Sequence, residues 1–330
     1  MAFAGVALVV AAPSSSADLN ATGAKAAPYK YFLMPKFIGI PVFAQSNDGA
    51  KQAAKELGDS VVYNGPTTPS AQEQVTFINN AAQQGVNAII VSANDPNALA
   101  PALKKAAKQG IKALAFDSDV ASAARSVFVS GPSPEVLAQT MVDKIGKQIG
   151  YVGEVAFLST SPTATNQNSW IAATRKILAR PKYSKMTVVT TIYGQENDAV
   201  GTTETRALLQ KYPKLRGIFS YTSIGGAAAR VLESEGKCKQ VVLFSLAAPS
   251  ALKAALQSGC IKEGMIWSFY DLGYIGVYAA RALLDGKLTG KPGETFMAGK
   301  SGKQTISKGG VVYLKVATII TKENVVSLGF

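Results

Sequence analysis

Two aspartates that follow one apolar run are the residues of this chain whose types and spacing could do chemistry most directly. Asp117 and Asp119 stand two positions apart after the run ALAF, so in an extended segment their side chains share a face. Paired carboxylates at a suitable separation can hydrolyse glycosides. Carboxylates at a strand end more often orient hydroxyl groups or cap the next element, and both interpretations stay open at this point.

The residue types that are missing exclude most catalytic alternatives. The chain contains no histidine, which removes Ser-His-Asp and Cys-His nucleophile systems and any histidine-based metal site. No GxGxxG follows the first strand-like run and no GxxxxGK[ST] occurs, and the pair Gly225-Gly226 gives little support to a nucleotide site. The sequence therefore predicts no enzyme, no metal and no cofactor.

The two cysteines, Cys238 and Cys260, lie 22 positions apart, and each shortly precedes a strand-like run. Successive parallel strands of one βαβ unit start at the same edge of a sheet, often as neighbours, so the two thiols could come within bonding distance. We predict a disulfide and hence an oxidising compartment. Two buried free thiols are the alternative.

The scaffold for these residues is indicated by a recurring pattern of apolar runs that end in polar clusters. YFLMPK, AIIVSANDP, ALAFDSD, EVAFLSTSPT, GIFSYTS and VVLFSLAAP recur in this way, each followed by an amphipathic, helix-like stretch. Apolar runs that alternate with helical periods predict βαβ units and parallel sheets. Small ligands bind beyond the carboxyl ends of such strands, where these polar clusters lie.

The length of 330 residues predicts two lobes. Gly131-Pro132 reads as a hinge between two series of alternating elements. We assign residues 30–132 plus about 268–300 to an N-terminal lobe, and 133–267 plus about 301–330 to a C-terminal lobe. The predicted fold class is α/β, with two Rossmann-like lobes of parallel sheet joined by a hinge of several crossings, which favours hinge closure.

The first 29 residues differ in kind from the rest. The run FAGVALVVAA is too short to span a bilayer and precedes a segment rich in Ala, Ser and Gly. This predicts the remnant of a secretory or lipoprotein signal with its linker, although a basic leading region and a lipobox cysteine are missing; a disordered tail is the alternative.

The net charge of +13, from 34 basic and 21 acidic side chains, could suit an anionic partner such as nucleic acid or a membrane surface. The lysines are scattered over predicted helix faces and turns, without an arginine-rich run or interleaved aromatic residues. Solvated helix faces account for most of them, and no nucleic-acid partner is predicted.

Several segments taken in order resemble a known family. MPKFIGIPVF, NGPTTPSAQEQVTFINNAAQQGVNAIIVSANDP, FDSD and STSPTATNQNSW are similar to periplasmic sugar-binding proteins of ABC transporters with the type I fold, closest to the autoinducer-2-binding and rhamnose-binding branch. The resemblance covers residues 30–330. It implies that a small ligand is held between the lobes and delivered to a membrane permease.

The resemblance also implies site residues. The lysine of the first strand-loop that contacts ligand oxygens corresponds to Lys36, and the strand-end aspartate that binds hydroxyl groups corresponds to Asp117. A following aspartate-glutamine pair is Asn166 and Gln167 here, so one charge is lost. A proline and an alanine of the second lobe become two residues that narrow the pocket and add hydroxyl groups, namely Tyr221 and Ser223. These changes favour a deoxyhexose such as rhamnose, another small sugar or a polyol at least as well as autoinducer-2.

Physical chemistry supports such a set. A polyol needs carboxylate or amide acceptors together with amide, ammonium and hydroxyl donors, and the C–H faces of a sugar pack on aromatic rings. The aromatic candidates, for each of which core packing is the alternative, are Phe43, Trp170, Tyr221 and Trp267. Weaker candidates that end strands are Ser92, Asn94 and Ser245.

We therefore expect a monomeric receptor that binds a small sugar or polyol and catalyses nothing. It should be periplasmic or extracellular and membrane-associated, with a lipid anchor as one form of that association. The alternative from another class is the effector-binding core of a LacI-type transcription regulator. That protein would need a helix-turn-helix of about 50 residues before residue 31, which the Ala/Ser-rich leader does not supply. An enzyme is the third alternative.

Overall fold

The computed structural model describes residues 1–2, 28–162, 164–315 and 317–328. The leader predicted over residues 1–29 falls mainly on positions 3–27, which lie outside the described residues. Among the described residues, no helix combines the length and the apolar character needed to cross a bilayer.

The first lobe is built on a six-stranded sheet in which every pairing is parallel. Its strands, in the order β13-β5-β4-β3-β1-β2, are β1 (Lys30–Met34), β2 (Ser60–Tyr63), β3 (Ala88–Val91), β4 (Lys112–Phe116), β5 (Val127–Ser130) and β13 (Val311–Tyr313). All four residues of β3 are buried, as expected for a central strand of a parallel sheet that is covered on both faces.

Helices cover both faces of this sheet. One face packs against α1 (Pro41–Leu57) and α9 (Phe269–Leu284), and the other against α2 (Ala71–Gln83) and α3 (Ala100–Lys108). The backbones of α1 and α9 approach closely because glycines face each other's helix: a Cβ on Gly49 would stand 1.9 Å from the carbonyl oxygen of Tyr270. The returning helix α9 is thus fixed into the first lobe.

The second lobe repeats the plan. Its sheet has the order β14-β10-β9-β8-β6-β7, with β6 (Gly153–Ser159), β7 (Met186–Tyr193), β8 (Leu215–Ser220), β9 (Val242–Leu246), β10 (Glu263–Ile266) and an antiparallel edge strand, β14 (Thr318–Thr321). The helices of this lobe are α4 (Pro134–Ile149), α5 (Thr165–Leu178), α6 (Asp198–Lys211), α7 (Gly225–Ser234) and α8 (Pro249–Ser258). The matching strand orders confirm the predicted α/β fold of two similar lobes.

The chain passes between the lobes at three points, after β5, after β10 and between β13 and β14. Ser133 caps α4 at the first crossing, where its hydroxyl accepts from the Val136 N–H and Pro134 occupies the first turn. Between α9 and the third crossing lies a short hairpin of β11 (Thr295–Met297) and β12 (Lys303–Thr305).

The lobe division proposed from the sequence stays a prediction. At the carboxyl end, the strand pairing differs from the lobe to which the sequence assigned the tail. Residues from about 301 onward are assigned there to the C-terminal lobe, yet β13 pairs with β5 in the first sheet. The final crossing therefore comes after β13, and β14 is the strand of the tail that joins the second sheet.

The predicted disulfide between Cys238 and Cys260 is present. The two residues precede β9 and β10, which are neighbouring parallel strands, so both cysteines stand at the amino edge of the second sheet. The bridge lies at the opposite end of the strands from their carboxyl ends.

Candidate ligand-binding site

A cavity of about 240 Å³ lies between the lobes, against the chain crossings. The first lobe contributes the loop after β4 and the strand β13, and the second lobe contributes the first turns of α5. Side chains on its walls include Asp117, Asp119, Asn166, Ser169, Trp170 and Trp267. This volume is below the roughly 300–1,000 Å³ typical of drug-sized pockets, so the cavity suits a small ligand.

Asp117 is held with its carboxylate on the cavity wall. Its φ of 58° is in the left-handed region, which Asp tolerates better than most residues. The Asp117 N–H donates to the carbonyl of Val129 at 3.0 Å, and the Ser92 hydroxyl donates to Oδ2 at 2.8 Å. A buried serine that follows β3 thus orients a carboxylate that follows β4.

Asp119 has a different role. Arg125 donates to both carboxylate oxygens of Asp119, from Nε at 2.7 Å and from Nη2 at 2.6 Å. The same guanidinium donates through Nη1 to the carbonyls of Gly309 and Gly310, next to β13. The two aspartates therefore do not form a matched acid and base. Asp117 has its carboxylate on the cavity wall, whereas Asp119 is paired with Arg125, which also ties the chain before β13 to the first lobe.

Asn166 and Gln167 lie in the first turn of α5, on the second-lobe side of the cleft. Asn166 lines the cavity, and its Nδ2 donates to the Ser118 hydroxyl of the first lobe at 3.2 Å. Gln167 points the other way, with Nε2 donating to the Thr160 hydroxyl at 3.2 Å, within its own lobe. The carboxyl edges of the two sheets therefore face each other across this helix terminus.

A carboxylate that the sequence reasoning did not select joins this network. Glu196 accepts hydrogen bonds from the hydroxyls of Thr160, Thr222 and Ser223. These residues follow the carboxyl ends of β6, β7 and β8, which are adjacent in the order β8-β6-β7. Glu196 follows a strand in the polar run GQEN, so the rule that strand-end polar clusters mark the site could have found it.

The two tryptophans lie together at the cavity. The rings of Trp170 and Trp267 are 5.7 Å apart in an edge-on arrangement, and Trp267 stacks on Phe269 at 6.0 Å. Gly131 permits this placement, since a Cβ there would stand 2.7 Å from the indole ring of Trp267. The Trp267 Nε1 is buried and has no hydrogen-bond partner among the described residues.

The other aromatic candidates lie in the core. Phe43 packs against the rings of Phe37, Phe116 and Phe269. Tyr221 is fully buried, and its hydroxyl shares a 2.6 Å hydrogen bond with that of Thr174. Burial raises the pKa of Tyr221 above its usual range. Neither Phe43 nor Tyr221 lines the cavity.

The remaining candidates support the strand ends. The Asn94 amide donates to the carbonyl of Lys36 at 2.7 Å, and the Asn94 N–H donates to the side chain of buried Gln74 at 2.9 Å. Gln74 in turn donates to the carbonyls of Pro35 and Ser92. Lys36 is partly exposed beside the cleft and is not on the cavity wall.

Ser245 is buried at the end of β9, and its hydroxyl has no partner among the described residues. A Cβ on Gly225 would stand 1.9 Å from that hydroxyl oxygen, so Ser245 packs directly against the start of α7. Within the part of the chain that the structure describes, no cluster of three or more His, Cys, Asp or Glu side chains could hold a metal ion.

Comparison with known proteins gives one family. The family pattern described as periplasmic binding protein domain matches residues 31–288. A crystal structure of a sugar ABC transporter protein from Actinomyces odontolyticus is 34% identical, covers 92% of this chain and 98% of that one, and superposes with a TM-score of 0.82.

Two further solved structures are similar. An ABC transporter solute binding protein from Clostridium phytofermentas with bound L-rhamnose is 31% identical, with a TM-score of 0.80 and coverage of 91% of this chain and 98% of that one. An LsrB protein from Clostridium saccharobutylicum in complex with AI-2 is 26% identical, with a TM-score of 0.78 and coverage of 91% and 100%.

Proposed function

The chain belongs to the periplasmic binding protein domain family, and on that premise we propose that it is the extracytoplasmic solute-binding protein of an ABC importer for a small neutral sugar or polyol. The candidate ligands are a rhamnose-like deoxyhexose, another monosaccharide and an autoinducer-2-like furanosyl compound. Its relatives described above are binding proteins and not enzymes or transcription regulators. The cognate partner is a membrane permease.

The observation that carries this proposal is the make-up of the cavity between the lobes. Asp117 from the first lobe supplies acceptor oxygens, while Asn166 from the second supplies amide donor and acceptor groups. Trp267 adds an aromatic face and an unpartnered N–H at the crossing. Sugar hydroxyl groups both donate and accept, so this mixed set matches them.

Closure follows from the placement of these groups. A ligand shifts the balance between open and closed lobes only by its differential affinity for the two states. Contacts to Asp117 and Asn166 at the same time form only when the lobes are together. The receptor would act as a monomer in the periplasm or outside the cell, with association to the membrane through its permease or a lipid anchor.

A thermal-shift screen tests the proposal, because a ligand that binds only the folded state raises the melting temperature. The protein would be screened against L-rhamnose, autoinducer-2, pentoses, other deoxyhexoses and polyols. We expect a clear shift with one of them and none with nucleotides. A protein that shifts with none of these compounds would contradict the proposal.

Calorimetry with variants then tests the assigned site. Asp117→Ala should abolish tight binding with little loss of fold, and Asp117→Asn should do so while keeping a residue that tolerates the left-handed backbone. The matched control is Asp143→Ala. It removes a carboxylate on α4 that accepts hydrogen bonds from Lys182 and Tyr183. Wild-type affinity in Asp117→Asn would rule out this site.

A further inference from the structure

The cavity between the lobes extends beyond the strand ends onto one face of the first sheet. Its wall there includes Phe128 and Ser130 from β5 and Val311 and Tyr313 from β13. The two strands are paired so that Phe128 lies beside Val311 and Ser130 beside Tyr313. Because side chains two positions apart on a strand share a face, all four lie on the same side of the sheet. We call these four side chains and Asp119 the hinge-side subsite, since β13 leads into the third crossing.

The hinge-side subsite has an apolar floor and a polar rim. Its two apolar side chains are buried, whereas Ser130 and Tyr313 stand at the carboxyl ends of their strands. Neither hydroxyl has a hydrogen-bond partner among the described residues. Burial raises the pKa of Tyr313, and the charges of Glu135 and Asp119 raise it further. The phenol therefore stays protonated at neutral pH and can donate a hydrogen bond.

Asp119 brings a charged acceptor to the same rim. Its side chain is 32% exposed and lines the cavity. Oδ1 accepts from the Arg125 Nε at 2.7 Å and from the Val120 N–H at 2.8 Å, while Oδ2 accepts from the Arg125 Nη2 at 2.6 Å. An ionised carboxylate has about four acceptor positions, so Oδ2 retains one that these contacts do not use.

Arg125 fixes the arrangement of the subsite. Its side chain is only 3% exposed. The guanidinium lies 5.6 Å from the centre of the Phe128 ring and donates to the carbonyls of Gly309 and Gly310, just before β13. A Cβ on Gly310 would stand 2.8 Å from the Arg125 Nη1, so a glycine allows this close approach. One buried cation thus holds the Asp119 carboxylate, the apolar floor and the edge strand together.

We propose that the hinge-side subsite binds the exocyclic hydroxymethyl group of a sugar, with Arg125 as the positioning residue, so that the substrate is a hexose and not a 6-deoxyhexose or a pentose. This inference rests on the proposed sugar-binding function and names the substrate class of the same cavity. It adds three hydrogen-bonding residues to the site, namely Asp119, Ser130 and Tyr313.

A hydroxymethyl group matches both parts of the subsite. Its CH2 packs on the apolar floor and its O–H donates to Asp119, while the two lone pairs of its oxygen accept from Ser130 and Tyr313. A methyl group fills the same floor but leaves the rim without a ligand partner, and a site built to hydrogen-bond a hydroxyl discriminates against an analogue that lacks it. A sugar with a hydrogen at this position also loses the apolar contact.

Sugars that differ only in the exocyclic group test the proposal. Three series each keep one ring configuration: L-mannose, L-rhamnose and L-lyxose; D-galactose, D-fucose and L-arabinose; D-glucose, D-quinovose and D-xylose. Within each series, C5 of the pyranose ring carries CH2OH, CH3 or H. Calorimetry measures the affinity of the wild-type protein for every member, and then the affinities of Tyr313→Phe for the series that binds.

In that series we expect the CH2OH sugar to bind at least about tenfold more tightly than the CH3 sugar, and the sugar with H to bind most weakly. Tyr313→Phe should lower the affinity for the CH2OH sugar by about three- to tenfold and leave that for the CH3 sugar unchanged, because only the former uses the deleted hydroxyl. A CH3 sugar that binds as tightly as its CH2OH partner, or an equal loss for both sugars in Tyr313→Phe, would overturn the proposal.

The matched control is Tyr278→Phe, which removes a tyrosine hydroxyl that donates to Glu56 at an exposed position. It should leave the affinity ratio of the two sugars unchanged. If Tyr313→Phe does not fold, Ser130→Ala should reduce the same ratio, and an unchanged ratio there would overturn the proposal.

The outcomes separate this inference from the proposed function. A protein that binds a ligand of the thermal-shift screen but no CH2OH sugar of the three series would overturn the hinge-side subsite and leave the proposed function standing. A protein that binds none of these compounds would refute the proposed function, and the subsite with it.

Discussion

Asn166 of the second lobe donates a hydrogen bond to the hydroxyl of Ser118 of the first, with 3.2 Å between Nδ2 and Oγ. Ser118 is buried beside Asp117, and Asn166 lines the cavity between the lobes. The contact joins the two lobes directly where a ligand would join them. It therefore favours the approach of the lobes before any ligand is present, and a ligand that uses Asn166 must share or replace it.

Ser118→Ala should shift the ligand-free protein toward separated lobes. A neutral hydrogen bond contributes about 1 kcal/mol net, so we expect roughly a fivefold fall in the ratio of closed to open molecules. Single-molecule energy transfer between labels on the two lobes measures that ratio. Ser184→Ala removes a hydroxyl that bonds within the second lobe and should leave it unchanged. The same ratio in Ser118→Ala as in the wild-type protein would contradict the prediction.

Trp267→Phe should weaken sugar binding while the fold is kept. Phenylalanine preserves an aromatic ring against Phe269 and deletes an N–H that has no partner among the described residues. If the ligand accepts from this N–H, the loss should be roughly two- to tenfold, measured by calorimetry. Replacing the buried indole by a smaller ring should also lower the melting temperature, so affinity is measured well below the melting transition of the variant.

Tyr221→Phe is the matched control for that variant. It also removes one polar group from an aromatic side chain, but that group bonds to Thr174 in the core of the second lobe. We expect it to lower the melting temperature and leave affinity unchanged. The reverse result, with Tyr221→Phe weakening binding and Trp267→Phe not, would return Tyr221 to the site and remove Trp267 from it.

Much of the fold could be predicted because strands buried on both faces of a parallel sheet have continuous apolar sequences. Runs such as AIIV are apolar throughout, and the structure buries all of β3. The tail could not be assigned in the same way. The run VVYLKVATII predicts strands without indicating their partners: β13 pairs with β5 of the first sheet, and β14 pairs with β10 of the second. Short edge strands pair with strands that are distant in sequence, and the local hydrophobic pattern does not identify those pairing partners.

The site was predictable in part, for a related reason. The strand-end rule places Asp117 at the cleft and the family resemblance indicates Asn166. The cavity brings these two residues together with the aromatic candidates Trp170 and Trp267. The same rule does not say which way a side chain points, since successive residues of a strand face opposite sides. Ser245 and Tyr221 end up in the core for that reason.

Removal of the disulfide should lower stability without changing ligand affinity. The bridge between Cys238 and Cys260 closes a loop of 22 positions, and loops of this length stabilise by roughly 3 kcal/mol in the chain-entropy account. Cys238→Ala/Cys260→Ala should therefore unfold at lower urea concentration. Sugar affinity should stay the same, because the bridge is at the amino edge of the second sheet.

The wild-type protein in reductant is the comparison for that double variant. Reduction should move its urea midpoint toward that of the variant and leave the variant itself unaffected. If the affinity falls together with the stability, the amino edge of β9 and β10 would have to be coupled to the cleft at their carboxyl ends.

Acid should destabilise the protein in part through Glu294. The Thr289 hydroxyl, together with the backbone N–H groups of Thr289, Gly290 and Lys291, donates to this carboxylate and lowers its pKa to about 2. The unfolded chain would hold the same carboxyl near its ordinary value of 4.5. Its stabilisation is therefore complete above that value and is lost as the pH falls toward about 2.

Glu294→Gln isolates this contribution. The variant should melt below the wild-type protein at neutral pH, and the difference between their melting temperatures should shrink as the pH falls from about 4.5 to about 2. Glu233→Gln, on an exposed position of α7, serves as the control and should show no such trend. Only a protonation linked to folding makes the melting temperatures of the wild-type protein and the variant converge as the pH falls. A difference that stays constant over this range would therefore mean that the hydrogen bonds to Glu294 hold its loop without favouring the ionised carboxylate.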